Sequence, residues 1–171
     1  MGTVIIPFRA DDPKRRLFEL SEHERRELAW AMFVDVWCAS ALVAEPVLAG
    51  MPADHGDAVV EALRHVQGPV AIVNADLPCA TPADIETLMY AAPALVAAAD
   101  GTTNALSIPD PAMFQPLYGP GSAARFRALG LDPLDLPNLV DDVDTFADLE
   151  RITDRVGPRT REALESLRVL E

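Results

Sequence analysis

Val70-Ala71-Ile72-Val73-Asn74-Ala75-Asp76-Leu77-Pro78 is an apolar run that stops abruptly at a carboxylate. It reads as a buried strand delivering Asp76 to the edge of a sheet, which makes Asp76 the first candidate metal ligand. A second acidic cluster, Asp141-Asp142-Val143-Asp144, follows another short apolar approach, Leu136 to Val140, and is itself followed by a helix-start signal. Two strand ends bearing carboxylates can hold one hard cation between them.

Around these two segments the pattern alternates. Val4 to Pro7 has the pattern of a short buried strand, and the polar segment Phe8 to Leu20 that of a loop. Ser21 with Glu24 forms a capping box, and Leu28, Ala31, Met32, Asp35 and Val36 recur at helical spacing, predicting a helix to about Ala41. A strand over Val43 to Leu48 and a helix over Asp57 to Val66 lead into the Asp76 strand. Thr81, Pro82 and Asp84 predict a helix to Ala91, and Ala94 to Ala99 and Asn104 to Ile108 read as strands. Helices are expected over Ala123 to Leu129, over Thr145 to Ile152, and from Gly157-Pro158 to about Leu167. This alternation predicts an α/β fold, a mostly parallel sheet flanked by helices, in one domain over residues 1–171. It places Asp76 and Asp142 to Asp144 at carboxyl ends of strands.

The net charge of −13 argues against nucleic acid as a partner, because a phosphate backbone must be met by basic side chains. Lys14 is the only lysine, and with the abundant Asp and Glu this composition fits a high-salt cytoplasm, halophilic in character, or simply an acidic proteome. Cys38 and Cys79 have neither ligand spacing nor a disulfide pattern, so reduced thiols in a cytoplasmic protein are expected. The opening run Met1 to Pro7 is too short for a signal sequence, and nothing approaches membrane-spanning length.

Each candidate has a plainer reading. Gly119-Pro120-Gly121-Ser122 precedes a helix and offers free N–H groups and a hydroxyl to an anion, yet serves as readily as an ordinary capped turn. Gly101-Thr102-Thr103-Asn104 is a small polar loop. Asp76 alone could cap the helix that follows it, and Asp144 could be the N-cap of the helix after Thr145. Lys14 and Arg16, in the loop after the first strand, sit where a nucleoside triphosphate approaches a doubly wound sheet, or form a solvated basic loop. Trp30 and Trp37, seven apart on one helix, are expected in the core, and His23, His55 and His65 lack metal spacing.

The ordered set is more specific than its parts: Ile6-Pro7-Phe8, Pro13-Lys14-Arg15-Arg16-Leu17, Ser21-Glu22, Ala75-Asp76-Leu77-Pro78, Thr103-Asn104-Ala105-Leu106, Tyr118-Gly119-Pro120-Gly121-Ser122 and Asp142-Val143-Asp144-Thr145. It resembles the 2-phospho-L-lactate guanylyltransferase family, whose members also act as phosphoenolpyruvate guanylyltransferases in biosynthesis of the deazaflavin coenzyme F-420. The resemblance implies a Rossmann-like, glycosyltransferase-A-like fold and a nucleotidyltransferase that joins GTP to a small phosphorylated three-carbon acid. It implies Asp76, Asp142 and Asp144 as Mg²⁺ ligands, Thr103, Gly119 and Ser122 as contacts to the acid, and Lys14 and Arg16 as a catalytic basic loop aimed at the triphosphate. A homodimer is compatible with it. One departure is that Val43 to Gly68 is shorter than in the family, with His55-Gly56-Asp57 where a Gly-Leu-Asn-type turn helps seat the nucleotide. A molybdenum-cofactor-type nucleotidyltransferase, or a shortened relative that binds without chemistry, are the alternatives.

Overall fold

A computed structural model of the chain describes residues 2–9, 14, 16–50 and 54–167. Among these residues six strands form one sheet: β1 (Thr3–Phe8), β2 (Glu45–Gly50), β3 (Val70–Val73), β4 (Ala94–Ala97), β5 (Thr103–Ile108) and β6 (Asp132–Pro133). Their spatial order is β2-β1-β3-β5-β4-β6. The β1–β2, β1–β3 and β4–β6 pairings are parallel, whereas β5 runs antiparallel to both β3 and β4. The sheet is therefore mostly parallel with one reversed strand. Part of the loop expected over Phe8 to Leu20 lies outside the described residues, as do Pro13 and Arg15 of the basic motif.

Among the described residues seven α-helices accompany the sheet: α1 (Glu22–Ala41), α2 (His55–Leu63), α3 (Pro82–Tyr90), α4 (Ser122–Ala128), α5 (Pro137–Val140), α6 (Phe146–Ile152) and α7 (Pro158–Ser166). Period-two alternation divides the core between the two faces of the sheet. Val4, Ile6, Ala71, Val73 and Val96 pack with Phe33 and Val36 of α1 and Ile85 and Leu88 of α3. Ile5, Val70, Ile72, Leu95 and Leu106 face the other way, against Val59 and Leu63 of α2 and Phe126 of α4. Central strands buried on both faces read as continuous apolar runs, which is why Val70 to Val73 lacks polar alternation. Each such residue contributes roughly 1.5–3 kcal/mol through burial.

The expected capping boxes form at Ser21 with Glu24 and at Thr81 with Asp84. A third forms at Thr145 with Asp148, so Thr145 rather than Asp144 is the N-cap of α6. Two further readings need correction. Leu136 to Val140 is not a strand: Pro137 opens a single helical turn in which the Leu139 N–H donates to the Leu136 carbonyl, and Asp142 to Asp144 follow it as a loop. A pre-set proline φ favours that turn over ladder pairing. Trp30 is also more than half exposed, although its ring packs edge-on to Phe8 and against Phe33.

A third cluster, with Leu17, Leu28, Met32, Cys79, Val143, Leu149, Ile152 and Leu164, ties α1 to α6 and α7 beyond the sheet. Asp35 supports this junction from within the apolar stripe of α1. Its buried carboxylate accepts the Arg159 N–H at 3.0 Å and the Thr160 N–H at 2.8 Å, capping α7 from another helix. Gly157 permits the approach, since a Cβ there would sit 2.4 Å from the Asp35 Cγ. Among the described residues no helix is long and apolar enough to cross a membrane.

Both cysteines are free, Cys38 exposed and Cys79 buried, and burial pushes the Cys79 thiol up to about 11. At pH 8, iodoacetamide is expected to label Cys38 in the native protein and to reach Cys79 only after denaturation, as peptide mass mapping will report. Asp35→Ala removes the acceptor of two N–H groups at a helix start, that of Thr160 buried and that of Arg159 partly so, and should lower unfolding stability by about 2–3 kcal/mol, measured by urea denaturation.

Candidate functional site

In β2-β1-β3 the chain reverses its direction of travel across the sheet between β1 and β3, and the candidate residues follow the carboxyl ends of those two strands. Beyond Val73 the pairing with β5 continues, as the Asn74 N–H donates to the Asn104 carbonyl at 3.0 Å. The Asn74 carboxamide donates to the Thr103 carbonyl at 3.3 Å. Asp76 stands two residues further on, and its carbonyl accepts the Val143 N–H at 3.2 Å. Fully buried Leu77 and Val143 anchor the two segments on either side of this bond.

Asn104 fixes the second acidic segment. Its buried carboxamide donates to the Leu139 carbonyl at 3.1 Å, the Val140 carbonyl at 2.9 Å and Asp142 Oδ1 at 3.4 Å. Asp148 accepts the N–H groups of Asp144 and Thr145, so the backbone at the start of α6 is satisfied without the Asp144 carboxylate. That side chain is left to the pocket.

The outcome is that one carboxylate oxygen from each of Asp76, Asp142 and Asp144 lies within 4.8 Å of the others. Oxygen donors so grouped suit a hard divalent cation. Asp76 Oδ1 is buried with no hydrogen-bond partner among the described residues, a coordination position left over. Burial pushes the Asp142 carboxyl up, and the neighbouring charges of Asp76 and Asp144 push the same way against the Asn104 amide. A cation in the pocket would relieve this repulsion.

Lys14 and Arg16 reach the same place. Lys14 Nζ is 2.6 Å from Asp76 Oδ2 and 3.4 Å from Asp144 Oδ1, and Arg16 Nη1 is 2.8 Å from Asp144 Oδ2. Burial lowers the Lys14 ammonium, but Asp76 foremost and then Asp144 and Asp142 outweigh it, so its pKa stands above the ordinary lysine value. Lys14 therefore faces the carboxylates rather than open solvent, while Arg16 reaches Asp144 from the exposed side.

The other expected contacts form a separate group. The Thr103 and Ser122 hydroxyls bond to one another at 2.9 Å, and both residues are buried. Gly119 and Gly121 adopt φ of 103° and 70°, while Arg125 folds over the loop and donates to the carbonyls of Leu117, Tyr118, Gly119 and Pro120. At the start of α4 the Ser122 N–H is spent on the Gly119 carbonyl and the Ala123 N–H on the Gly101 carbonyl. The loop is thus organised as a turn, and Thr103 is next in sequence to Asn104, which bonds to the acidic segment.

Sequence reading passed over two residues. Asn104 was legible as part of a polar loop but not as the tie to residues 139–142. His55, at the start of α2, has a buried Nε2 without a hydrogen-bond partner among the described residues, and its ring packs tilted against Tyr118 with centroids 4.2 Å apart. Burial lowers its pKa against the pull of Asp76 and Asp54, so it is neutral at pH 7 and within electrostatic reach of the acidic pocket.

Comparison with known proteins places this geometry. No family model matches the chain. The chain is 35% identical to the 2-phospho-L-lactate guanylyltransferase of Methanosphaerula palustris, with 85% of this chain and 80% of that protein covered. It is 30% identical to the enzyme of that name from Methanoregula boonei over 95% and 87%. A phosphoenolpyruvate guanylyltransferase of Streptomyces scabiei is 39% identical over 66% of this chain and 56% of its own length. The chain thus spans a little over half the length of its bacterial relatives. Among solved structures, a protein of the nucleotide-diphospho-sugar transferase type from Desulfovibrio desulfuricans superimposes with a TM-score of 0.73 at 17% identity, covering 96% of this chain and 94% of that one. A nucleotidyl transferase from Methanothermobacter gives 0.55 at 11% over 97% and 99%. These structures establish the fold; with the two archaeal sequence matches, the chain belongs to the family of 2-phospho-L-lactate and phosphoenolpyruvate guanylyltransferases.

Proposed function

We propose that the protein is a Mg²⁺-dependent guanylyltransferase that joins GTP to 2-phospho-L-lactate or phosphoenolpyruvate and releases pyrophosphate, as a step of coenzyme F-420 biosynthesis. The observation that carries the reading is the convergence of Asp76, Asp142 and Asp144. The nucleobase and the acid come from the names of the relatives. In this reaction an oxygen of the acid's phosphate forms a bond to the α-phosphorus of GTP as the bond to the β-phosphate oxygen breaks. The electron pair leaves with pyrophosphate. No side-chain nucleophile is needed, only alignment and charge neutralisation.

Mg²⁺, held by Asp76 with Asp142 and Asp144, would supply charge neutralisation at the reacting phosphates. Asn104 holds the Asp142 segment in register with Asp76. Lys14 and Arg16, already at the pocket, provide cations for the departing pyrophosphate. The tie between β3, β5 and the acidic loop keeps the carboxylates in place without large reorganisation as charge shifts.

Incubation with GTP, Mg²⁺ and each acid at high KCl should release pyrophosphate with at least one of them; silence with both acids overturns the reading. Asp76→Asn keeps the volume and removes a charge, so kcat is expected to fall at least about a hundredfold while the thermal transition persists. Asn104→Leu takes the side-chain donor from the Leu139 carbonyl and leaves the Val140 carbonyl with the Asp142 N–H. It should cost roughly 2–4 kcal/mol of stability in urea and raise the Mg²⁺ concentration needed for half-maximal rate.

A further inference from the structure

Lys14 is the chain's single lysine, its side chain is only 11% exposed, and its φ of 57° puts it in the left-handed region that a residue with a Cβ rarely adopts. The backbone there is held, since the Leu17 N–H donates to the Lys14 carbonyl and Leu17 is fully buried. That turn sends the ammonium between Asp76 and Asp144, 2.6 Å from one and 3.4 Å from the other. Carboxylates from remote segments are thereby bridged by one positive centre, as a bound cation would bridge them.

We propose that Lys14 is a built-in counter-ion of the pocket, holding the position of the divalent cation between Asp76 and Asp144 until the cation displaces it. This inference rests on the metal reading of the three carboxylates. The Lys14 ammonium meets Asp76 Oδ2 and Asp144 Oδ1, while Asp76 Oδ1 has no hydrogen-bond partner among the described residues and no Lys14 bond reaches Asp142. A divalent ion can meet oxygens of all three residues and carries twice the charge, which is what makes displacement favourable. Arg16 stays on Asp144 from the exposed side. The freed ammonium then becomes available to an anion brought in beside the metal, so the exchange would couple metal entry to readiness for a polyphosphate.

A single lysine makes the test direct. In the full chain labelled with ¹³C,¹⁵N-lysine, the one set of Cε and Nζ signals should shift on titration with Mg²⁺ alone, and exchange of the Nζ protons with water should speed up. Lysine signals unchanged at saturating Mg²⁺ overturn the proposal. In parallel, Mn²⁺ binding followed by electron paramagnetic resonance should be at least about tenfold tighter in Lys14→Met, which removes a competing charge a few ångströms away, and no tighter than wild type in Lys14→Arg. Equal or weaker binding by Lys14→Met also overturns it. Asp76→Asn separates the two levels. If wild type and Asp76→Asn bind Mn²⁺ alike, the metal reading fails and takes the inference with it; if Asp76→Asn alone loses binding and Lys14→Met gains none, only the counter-ion role fails. Should Lys14→Met not fold, the wild-type lysine spectrum decides.

Discussion

Three carboxylates converging within 4.8 Å are the constraint to which the rest of the structure answers. Two unit charges 4 Å apart repel by about 4 kcal/mol at an effective dielectric of 20, so three such groups do not gather unless other interactions force them. In a chain with a net charge of −13, long-range electrostatics only adds to the repulsion. The Lys14 ammonium between Asp76 and Asp144 offsets part of the repulsion, and neutral bonds and apolar anchors supply the rest of the force. The Val143 N–H to Asp76 carbonyl bond clamps the two segments, Asn104 grips residues 139–142, and Leu77 and Val143 are fully buried beside them. Burial first, and the charges of Asp76 and Asp144 after it, push the Asp142 carboxyl above its ordinary value.

The surrounding elements divide the labour. Apolar burial on both faces of the sheet supplies the stability from which a repulsive pocket can be maintained. The third cluster does more specific work. It packs Leu17, which follows Lys14, against the same core as Val143, which lies between Asp142 and Asp144. The basic loop and the acidic loop are thereby fixed relative to one another by hydrophobic contact, not only by their ion pairs. Asp35 extends this arrangement by capping α7 across the junction, a buried charge satisfied wholly by backbone N–H groups.

Sequence patterning revealed the elements whose physics is local. Val70 to Val73 is a strand because it is buried on both faces, and Ser21-Glu24 and Thr81-Asp84 are caps because three-residue reciprocity is written in consecutive positions. Leu136 to Val140 was misread because an apolar run of five has no period of its own, and Pro137 decides for a helical turn only where no partner strand lies alongside. Asp35 stood at helical spacing among apolar residues, with nothing local to announce that a helix beginning at Pro158 would need its carboxylate. The three acidic ligand candidates were visible as types. Their separation along the chain hid the bonds that unite them, and Asn104, legible only as part of a polar loop, gave no sign of partners more than thirty positions away.

The reversed strand explains why Asn104 is where it is. In a parallel sheet every strand brings its carboxyl end to the ligand side, so a residue at a strand's beginning lies at the opposite edge. Because β5 is antiparallel to β3, its first residues, Thr103 and Asn104, stand beside Asn74 at the carboxyl end of β3. The paired start of β5 fixes the Asn104 backbone, and the buried carboxamide is directed to residues 139–142. The one departure from parallel topology thus delivers a rigid, neutral donor to the edge where the acidic loop must be held. A loop-borne donor would have to be ordered at that site, at roughly 1–2 kcal/mol per residue of backbone, whereas β5 is ordered already by its two neighbours.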